Sequence, residues 1–347
     1  TQIVSRLQQV FGSKMGVYHS KYSDNERVEV WNGVLSGRFS FVVGVRSSIF
    51  LPFDSLGLII VDEEHESSFK QFDPAPRFQA RDSAIMLAYF HQAKTLLGSA
   101  TPSFESYFNA LQEKYGYVQL HQRYGEAQLP QYHLANLSAD RKKNLLKLDS
   151  TRLMREKIQD ALSKNEQVLI FQNRRGYSPY IQCEDCGWTG QCVQCDVSLT
   201  YHQFAEELRC HYCGYKEKVP SSCPACASTQ LSTMGMGTER IEESLSMLFP
   251  EARLGRMDLD TTRNKYGYQR LLEEFGAGQI DILVGTQMIT KGLDFGRVTV
   301  VGIWDGDRIL NFPDFRAGER AYQQITQVAG RAGRRATQGE VIIQTRN

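Results

Sequence analysis

The sequence lacks cysteine everywhere outside one stretch, because all eight thiols lie between Cys183 and Cys226. It also lacks any apolar run of about 18 residues, the minimum for a membrane-spanning helix, and no secretory signal pattern opens it. A net charge of +1 gives no overall nucleic-acid signature, so such binding would depend on local patches. We therefore expect no membrane contact and a reducing compartment, in which thiols stay reduced.

A third absence concerns nucleotide binding. The dipeptide Gly-Lys does not occur, which excludes the phosphate-binding loop G-x-x-x-x-G-K-[ST] within these residues. With 347 residues, 41% of them hydrophobic and 23% charged, the chain otherwise has the composition of an ordinary globular protein of two or three domains. It begins without Met and ends just after a strand-like run, so we interpret it as an internal piece of a longer protein.

The cysteines form four C-x-x-C pairs, a spacing typical of the knuckles that bind zinc: Cys183 and Cys186, Cys192 and Cys195, Cys210 and Cys213, Cys223 and Cys226. Two knuckles complete one tetrahedral site, so four pairs predict two zinc ions; a disulfide cluster is the alternative. Gly187 and Gly214 follow two of the pairs, where a knuckle needs positive φ. The spacing favours the inner pairs forming one site, with the outer pairs closing around it, in a module that needs metal to fold.

An apolar run at Leu58–Val61 predicts a buried parallel strand, and it ends in Asp62, Glu63, Glu64 and His65. Ligand chemistry in open α/β sheets collects at the carboxyl ends of strands. Carboxylates there can hold Mg²⁺ on a nucleotide, and a neighbouring acid can orient the attacking water. The alternative is a strand that ends in a solvated acidic turn.

Strands alternate with helices along the chain, which predicts parallel sheets with flanking helices. Helical spacing occurs at 1–11, 28–35 and 80–90, and again after Thr151 and from Thr238; strand-like runs occur at 41–45, 95–97, 168–171, 281–284 and 298–304. The pattern weakens between Tyr115 and Asp149, and we place the boundary between two lobes near residue 125. The cysteine module interrupts the second lobe.

Two stretches of the first lobe are candidates for nucleic-acid contact. The turn after the strand at 41–45 presents Arg46 and Ser47, which suit a phosphate backbone, although a plain exit from the strand fits as well. The segment 69–78 places three aromatic residues among two prolines and two cations, a composition typical of stacking platforms for single strands. A loop pinned by its own aromatic side chains is the alternative.

The second lobe contains a pair of arginines near its end. Arg331 and Arg334 are three residues apart, which predicts that they share one helical face. Two guanidinium groups there suit the stabilisation of a transferring phosphoryl group, although such a pair taken alone usually forms surface salt bridges.

Taken together, these motifs resemble superfamily 2 helicases. DEEH at 62–65, GSAT at 98–101, QNRRGY at 172–177, VGTQMITKGLDF at 284–295 and QVAGRAGR at 327–334 match that superfamily's motifs in order. Four C-x-x-C pairs inside the second lobe are similar to those of the bacterial PriA family (primosomal protein N′, the replication-restart helicases). The resemblance implies an α/β fold with two RecA-like helicase lobes, the second interrupted by a small two-zinc module. It assigns 1–125 to lobe 1, 126–181 and 229–347 to lobe 2, and 182–228 to the zinc module.

The resemblance also implies a role for each motif residue. Asp62 would hold Mg²⁺ of ATP and Glu63 would polarise water, while His65 and the loop would report DNA binding to the nucleotide site. Gly292 and Asp294 would line the cleft between the lobes, and Gln327, Arg331 and Arg334 would complete the nucleotide pocket. The DNA-contacting residues would be Arg46, Ser47, Phe69, Phe72, Arg77, Phe78 and Thr286.

By the same resemblance, the parent protein is an ATP-dependent 3′ to 5′ DNA helicase of the bacterial cytoplasm and nucleoid. It would act on branched forks and single-stranded DNA, restart replication, and assemble with primosome proteins and single-stranded DNA-binding protein. Its phosphate-binding loop would lie upstream of Thr1, so the chain alone is expected not to hydrolyse ATP. A non-motor zinc-containing adaptor on a degenerate helicase fold is the competing hypothesis. A nearer one keeps the motor but changes its task to RNA unwinding or duplex translocation, and the inserted zinc module argues against it.

Overall fold

A computed structural model describes residues 2–19, 22–121, 128–173, 180–202, 206–234, 238–258, 265–289, 295–333 and 338–346. The chain divides into two compact units between Tyr117 and Val118. The domain limits inferred from the sequence stay predictions. No helix among the described residues is both long and apolar enough to cross a membrane.

Unit 1 consists of short parallel strand pairs with helices. In chain order its helices are α1 (Gln2–Phe11), α2 (Asp24–Leu35), α3 (Ala80–Phe90) and α4 (Phe104–Leu111), and its strands are β1 (Met15–Tyr18), β2 (Phe41–Gly44), β3 (Leu58–Asp62) and β4 (Lys94–Gly98). β1 pairs with β2 and β3 pairs with β4, each in parallel. The three predicted helices and the three predicted strands of this unit are confirmed, whereas the sequence analysis missed β1.

The prediction that β3 is buried is wrong for one of its faces. Leu58 and Ile60 are 52% and 56% exposed, whereas Val61 is buried. Successive side chains of a strand point to opposite sides, and α3 packs against β3 on one side. Within the described residues β4 is the only strand paired with β3, and the other face stays open to solvent.

Unit 2 contains a six-stranded parallel sheet. The strands of the unit are β5 (Gln131–Asn136), β6 (Gln167–Phe171), β7 (Tyr180–Cys183), β8 (Thr200–His202), β9 (Glu207–Arg209), β10 (Lys216–Lys218), β11 (Leu231–Met234), β12 (Leu254–Met257), β13 (Ile282–Gly285), β14 (Val298–Ile303) and β15 (Glu340–Thr345). Its helices are α5 (Leu137–Lys142), α6 (Arg152–Ser163), α7 (Thr238–Leu248), α8 (Lys265–Gly276), α9 (Gly306–Leu310) and α10 (Ala317–Ala329). The large sheet has the order β12-β13-β6-β14-β15-β5.

The core of unit 2 lies on both faces of this sheet. Alternate residues of β6 belong to opposite sides, with Leu169 and Phe171 in one apolar cluster and Val168 and Ile170 in the other. A central parallel strand covered on both faces reads as a continuous apolar run, which is why the sequence predicted β6 correctly. Thr151 caps α6 as expected, because its hydroxyl accepts the N–H of Met154.

The cysteine module interrupts the large sheet between β6 and β12. β7 and β11 form its antiparallel base, with Cys183 opposite Leu231, and β8, β9 and β10 form a separate antiparallel sheet. The module's apolar cluster is small and includes Val197, Leu199 and Leu208. The predicted α/β architecture with a module inserted in the second lobe is therefore confirmed.

Candidate nucleotide and metal sites

Two carboxylates stand at the carboxyl end of β3. Asp62 is the last residue of the strand and Glu63 follows with φ 51°, in the left-handed region. The N–H of Glu63 donates to Asp62 Oδ1 at 3.1 Å, and both side chains are exposed. Because β3 and β4 are parallel, the turn after Gly98 lies at the same edge, and the N–H of Glu64 donates to the Gly98 carbonyl at 3.1 Å. The chemistry of two exposed carboxylates at such an edge fits an Mg²⁺-bound nucleotide.

His65 joins this acid turn to the turn after β4. Its Nδ1 lies 2.7 Å from Ser99 Oγ, which also accepts the N–H of Thr101 at 3.0 Å. Nδ1 is also 3.7 Å from Glu63 Oε2, and the His65 side chain is only 3% exposed. The imidazole is therefore held between the second acid and the Ser-Ala-Thr turn.

Glu64, the third acid of the motif, is a buried hub that the sequence analysis missed. It is 1% exposed, and Arg81 of α3 donates to its Oε2 at 3.1 Å. Ser103, the N-cap of α4, donates its N–H to Oε1 at 2.7 Å and its hydroxyl to Oε2 at 3.0 Å. Ser106 adds a fourth donor at 2.8 Å. The four donors satisfy a carboxylate that would otherwise be costly to bury.

Both alternatives for the aromatic loop have support in its geometry. A bridge between Lys70 and Gln79 closes the loop, and Phe78 packs edge-to-face on Phe50 with ring centroids 4.8 Å apart. Phe72 is 67% exposed, by contrast. Phe69 is half-buried and Arg77 is exposed, so the loop is pinned at its base and open at its tip.

Arg46 contacts the base of this loop. It lies in a 3₁₀ helix at Arg46–Phe50, directly after β2, and its Nη1 donates to the carbonyls of Ser68 at 3.3 Å and Lys70 at 3.2 Å. Ser47, in the same 3₁₀ helix, is half-buried. Whether either residue contacts DNA stays a prediction.

The prediction that Arg331 lies on a helical face is wrong, because α10 ends at Ala329. Gly330 caps the helix and the N–H of Arg331 donates to the Val328 carbonyl at 2.9 Å, in a turn. Beyond the helix end Ala332 is fully buried and lies against Gly339, where an added Cβ would be 2.5 Å from it. Arg331 and Gln327 are half-buried and both have partners.

The remaining second-lobe candidates divide into two groups. Thr286 follows β13 and is buried, 8% exposed, with its N–H donating to the Met257 carbonyl at 3.3 Å. Gly292, Asp294 and Arg334 lie outside the described residues, as does most of the QNRRGY motif. The roles predicted for all of them stay predictions.

The eight cysteines come together in the two sets that their spacing favoured. One set contains Cys183, Cys186, Cys223 and Cys226, and the other contains Cys192, Cys195, Cys210 and Cys213. All eight are free thiols, and the Sγ atoms of each set lie within 4.8 Å of one another. Disulfides are excluded, because the S–S bond needs about 2.05 Å.

The distances fit tetrahedral zinc. Cys183 and Cys226 are 3.6 Å apart at Sγ, and Cys192 and Cys213 are 3.5 Å apart. Zn–S bonds of about 2.3 Å in a tetrahedron separate the sulfurs by about 3.8 Å. Burial acts to raise the pKa of Cys210, but hydrogen bonds from the backbone N–H groups of Cys213 and Tyr212 and from the side chains of Cys192 and Cys213 together outweigh it and lower that pKa to about 7. Two Cys₄ sites of this kind support two zinc ions.

Side chains of the lobe anchor the module. Arg141 of α5 forms an ion pair with Glu184, next to the first knuckle. Burial acts to raise the pKa of Glu184, but the hydrogen bond and charge of Arg141, together with those of other neighbouring groups, outweigh it, and the pKa is lowered. Tyr212, which lies between Cys210 and Cys213, contacts Phe315 edge-to-face, with ring centroids 6.3 Å apart.

Comparison with protein families gives two matches. Residues 192–218 match the PriA DNA helicase Cys-rich region domain, and residues 233–336 match the helicase conserved C-terminal domain. The first match covers all four cysteines of the inner set, and the second covers β12, β13, β14 and α10.

Curated relatives match almost the whole chain. It is 46% identical over 344 residues to the replication restart protein PriA of Bacillus subtilis, covering 99% of this chain and 42% of that protein. It is 44% identical over 346 residues to PriA of Chlamydia pneumoniae, covering 99% and 46%. The chain thus spans about half the length of these relatives. Among solved structures, the DUF1998 helicase MrfA bound to DNA is 13% identical, with a TM-score of 0.52 over 100% of this chain and 39% of that one, a likeness of fold alone.

Proposed function

We propose that this chain, a homologue of the PriA replication restart proteins along 99% of its length, forms most of two helicase lobes of an ATP-dependent 3′ to 5′ DNA helicase. The complete protein acts at stalled forks, restarts replication and initiates primosome assembly. Its partners are branched and single-stranded DNA, primosome proteins and single-stranded DNA-binding protein, in the bacterial cytoplasm at the nucleoid.

One observation carries the proposal. Two Cys₄ clusters interrupt, between β6 and β12, a parallel sheet whose later strands match a helicase C-terminal domain, and one cluster matches a PriA Cys-rich region. An adaptor would need the clusters, but it would not need Asp62 and Glu63 exposed at a strand end.

The nucleotide roles follow from the acid turn. ATP bound with Mg²⁺ would supply the phosphoanhydride bond whose hydrolysis releases the lobes after nucleotide binding has drawn them together. Asp62 holds the metal and Glu63 orients the attacking water, as paired acids do in this chemistry. Gln327, Arg331 and Arg334 stabilise the developing charge from lobe 2, while Gly292 and Asp294 line the cleft.

The DNA roles follow from the loop and its neighbours. The exposed Phe72 stacks on bases of single-stranded DNA, and the exposed Arg77 pairs with its phosphates. Phe69 and Phe78 support these two residues from the base of the loop. The remaining contacts, to the phosphate backbone, come from Arg46, Ser47 and Thr286. His65 links occupancy of this surface to the nucleotide site through Ser99.

The test is ATP hydrolysis by the full-length protein, with and without single-stranded DNA. We expect Asp62→Ala and Arg334→Ala each to lower DNA-stimulated turnover by about 10²-fold or more, because each removes charge stabilisation of the transition state. Asp54→Ala is the matched control, since Asp54 is an exposed acid of the same unit, and it should keep full turnover.

Two outcomes would contradict the proposal. Residues 1–347 alone should show no turnover, since they contain no phosphate-binding loop, and hydrolysis by them would contradict the assigned nucleotide site. A folded, zinc-loaded full-length protein without turnover would favour the adaptor instead.

A further inference from the structure

Within the proposed function, on which this inference rests, we propose that Glu64 and Arg81 form a positioning pair. The pair transmits DNA occupancy of the loop at 69–78 to the catalytic acids Asp62 and Glu63. Neither residue touches nucleotide or DNA in this role; each acts by holding the segment beside it.

At one end of the pair, Glu64 follows the catalytic acids Asp62 and Glu63 in the chain and is peptide-bonded to Glu63. Its carboxylate accepts four hydrogen bonds of 2.7 to 3.1 Å from Arg81, Ser103 and Ser106. Its own N–H is fixed to the Gly98 carbonyl. A carboxylate held by four donors cannot shift unless its neighbours shift, so Glu63 and its left-handed backbone depend on where these donors lie.

At the other end, Arg81 is tied to the base of the aromatic loop. α3 begins at Ala80, and Gln79, its N-cap, forms the bridge with Lys70 that closes the loop. The N–H of Gln71 donates to the Phe78 carbonyl at 2.9 Å. Only Gln79 and Ala80 separate Arg81 from Phe78. Single-stranded DNA that stacks on the loop and moves the base of the loop therefore also moves the first turn of α3.

The character of the pair suits transmission better than simple support. The Arg81 side chain is 10% exposed and the Glu64 side chain is 1% exposed, and Arg81 Nη1 lies 3.1 Å from Glu64 Oε2. Apolar residues of similar volume often stabilise a core as well as a buried ion pair does, so support alone does not call for charge. Hydrogen bonds to a charged group are directional, however, and they lose strength steeply when the geometry shifts.

This route differs from the one through His65. His65 reaches Ser99 in the turn after β4, whereas Glu64 reaches α3 and α4. The His65 contact connects the carboxyl ends of β3 and β4. The Glu64 contacts connect the acid turn to the loop that is predicted to bind single-stranded DNA.

The experiment measures ATP turnover by the zinc-loaded full-length protein without DNA and with saturating oligo-dT. We expect Glu64→Gln to lower the stimulation by DNA at least tenfold, while turnover without DNA and affinity for oligo-dT stay within twofold. Arg81→Lys, which keeps the charge, should restore part of the stimulation that Arg81→Met loses. Glu64→Gln with Arg81→Met together should lose no more than either alone, because both act on one link.

Asp82→Asn is the matched control. Asp82 accepts from Arg81 Nε at 2.8 Å but is 60% exposed, so this variant removes the other partner of the same arginine and should keep full stimulation. Ser106→Ala, which removes one uncharged donor to Glu64, provides a milder variant if Glu64→Gln fails to fold, and it should lower stimulation partially.

The outcomes separate this inference from the proposed function. Full stimulation in folded Glu64→Gln, or in folded Ser106→Ala and Arg81→Met, overturns the positioning role and leaves the helicase proposal intact. Equal losses of basal and stimulated turnover indicate a structural role only and also overturn it. No turnover in the unsubstituted protein overturns the proposed function and this inference with it.

Discussion

Single residues with positive φ follow three of the four knuckles of the zinc module. Gly187 and Gly214, which the sequence singled out, have φ of 80° and 77°, and Ala227 occupies the corresponding position after Cys226 with φ 59°. The three knuckles share one hydrogen-bond pattern, in which the residue after the second cysteine donates its N–H to the carbonyl of the first. Alanine at such a position is strained, because its Cβ crowds the following carbonyl.

Exchanging glycine and alanine tests this strain. A Cβ on Gly214 would meet no atom within 4 Å, so Gly214→Ala should cost only the backbone strain, roughly 1–2 kcal/mol of unfolding free energy. Ala227→Gly should be neutral or stabilising, since strain relief opposes the added freedom of the unfolded chain. Chemical denaturation of the zinc-loaded protein checks both, and equal effects of the two changes would contradict the argument.

At this scale the sequence predicted residues whose chemistry depends on spacing along the chain. The cysteine sets followed from C-x-x-C spacing, and Asp62 and Glu63 followed from their position at a strand end. The sequence could not reveal Glu64 as a hub, because its donors Arg81 and Ser103 are distant in sequence. Nothing in the motif itself distinguishes the buried acid from the two exposed ones. The turn at Arg331 was missed because a spacing of three residues fits a helix and does not show where the helix ends, which is at Ala329.

The zinc module has little apolar support of its own. Its cluster around Leu199 and Leu208 is small, whereas β6 is covered on both faces. A small domain with few buried side chains relies on metal for its folding free energy. The strands β8, β9 and β10 are three residues each, too short to be recognised by alternation in the sequence.

Metal removal should therefore act on the module and spare the sheet. After chelation we expect backbone amides of β8, β9 and β10 to lose hydrogen-exchange protection, while those of β6 and β13 keep it. Lowering the pH should have the same effect, because cysteine binds zinc as the deprotonated thiolate and protons compete with zinc for the sulfur. Hydrogen exchange with mass spectrometry measures this, and simultaneous loss of protection in β6 would contradict the separation.

For the whole molecule, the two units differ in how completely their apolar residues are covered. Leu58, Ile60 and Leu96 of unit 1 are more than half exposed, whereas the strands β6 and β13 of unit 2 are fully buried. The alternation of strands and helices predicted the architecture of both units. It could not predict the open face of β3, because a strand's apolar residues do not reveal whether anything covers them.

Urea unfolding should consequently show two transitions. Unit 1 should unfold at the lower concentration, because less apolar area leaves water when it folds. Hydrogen exchange in increasing urea would separate them, with Val61 in unit 1 and Ile170 in unit 2 as reporters. A single coincident loss of protection would show that the units unfold together.

The insertion of the module between β6 and β12 has a consequence for how the large sheet assembles. β6 pairs with β13, and the chain between them includes the whole module. The entropy cost of closing a loop grows only with the logarithm of its length, so each doubling adds about 0.6 kcal/mol. The antiparallel pair β7–β11 recovers part of even that cost by pinning the module's two ends together. A lobe built this way accommodates a large insertion at little cost in folding free energy.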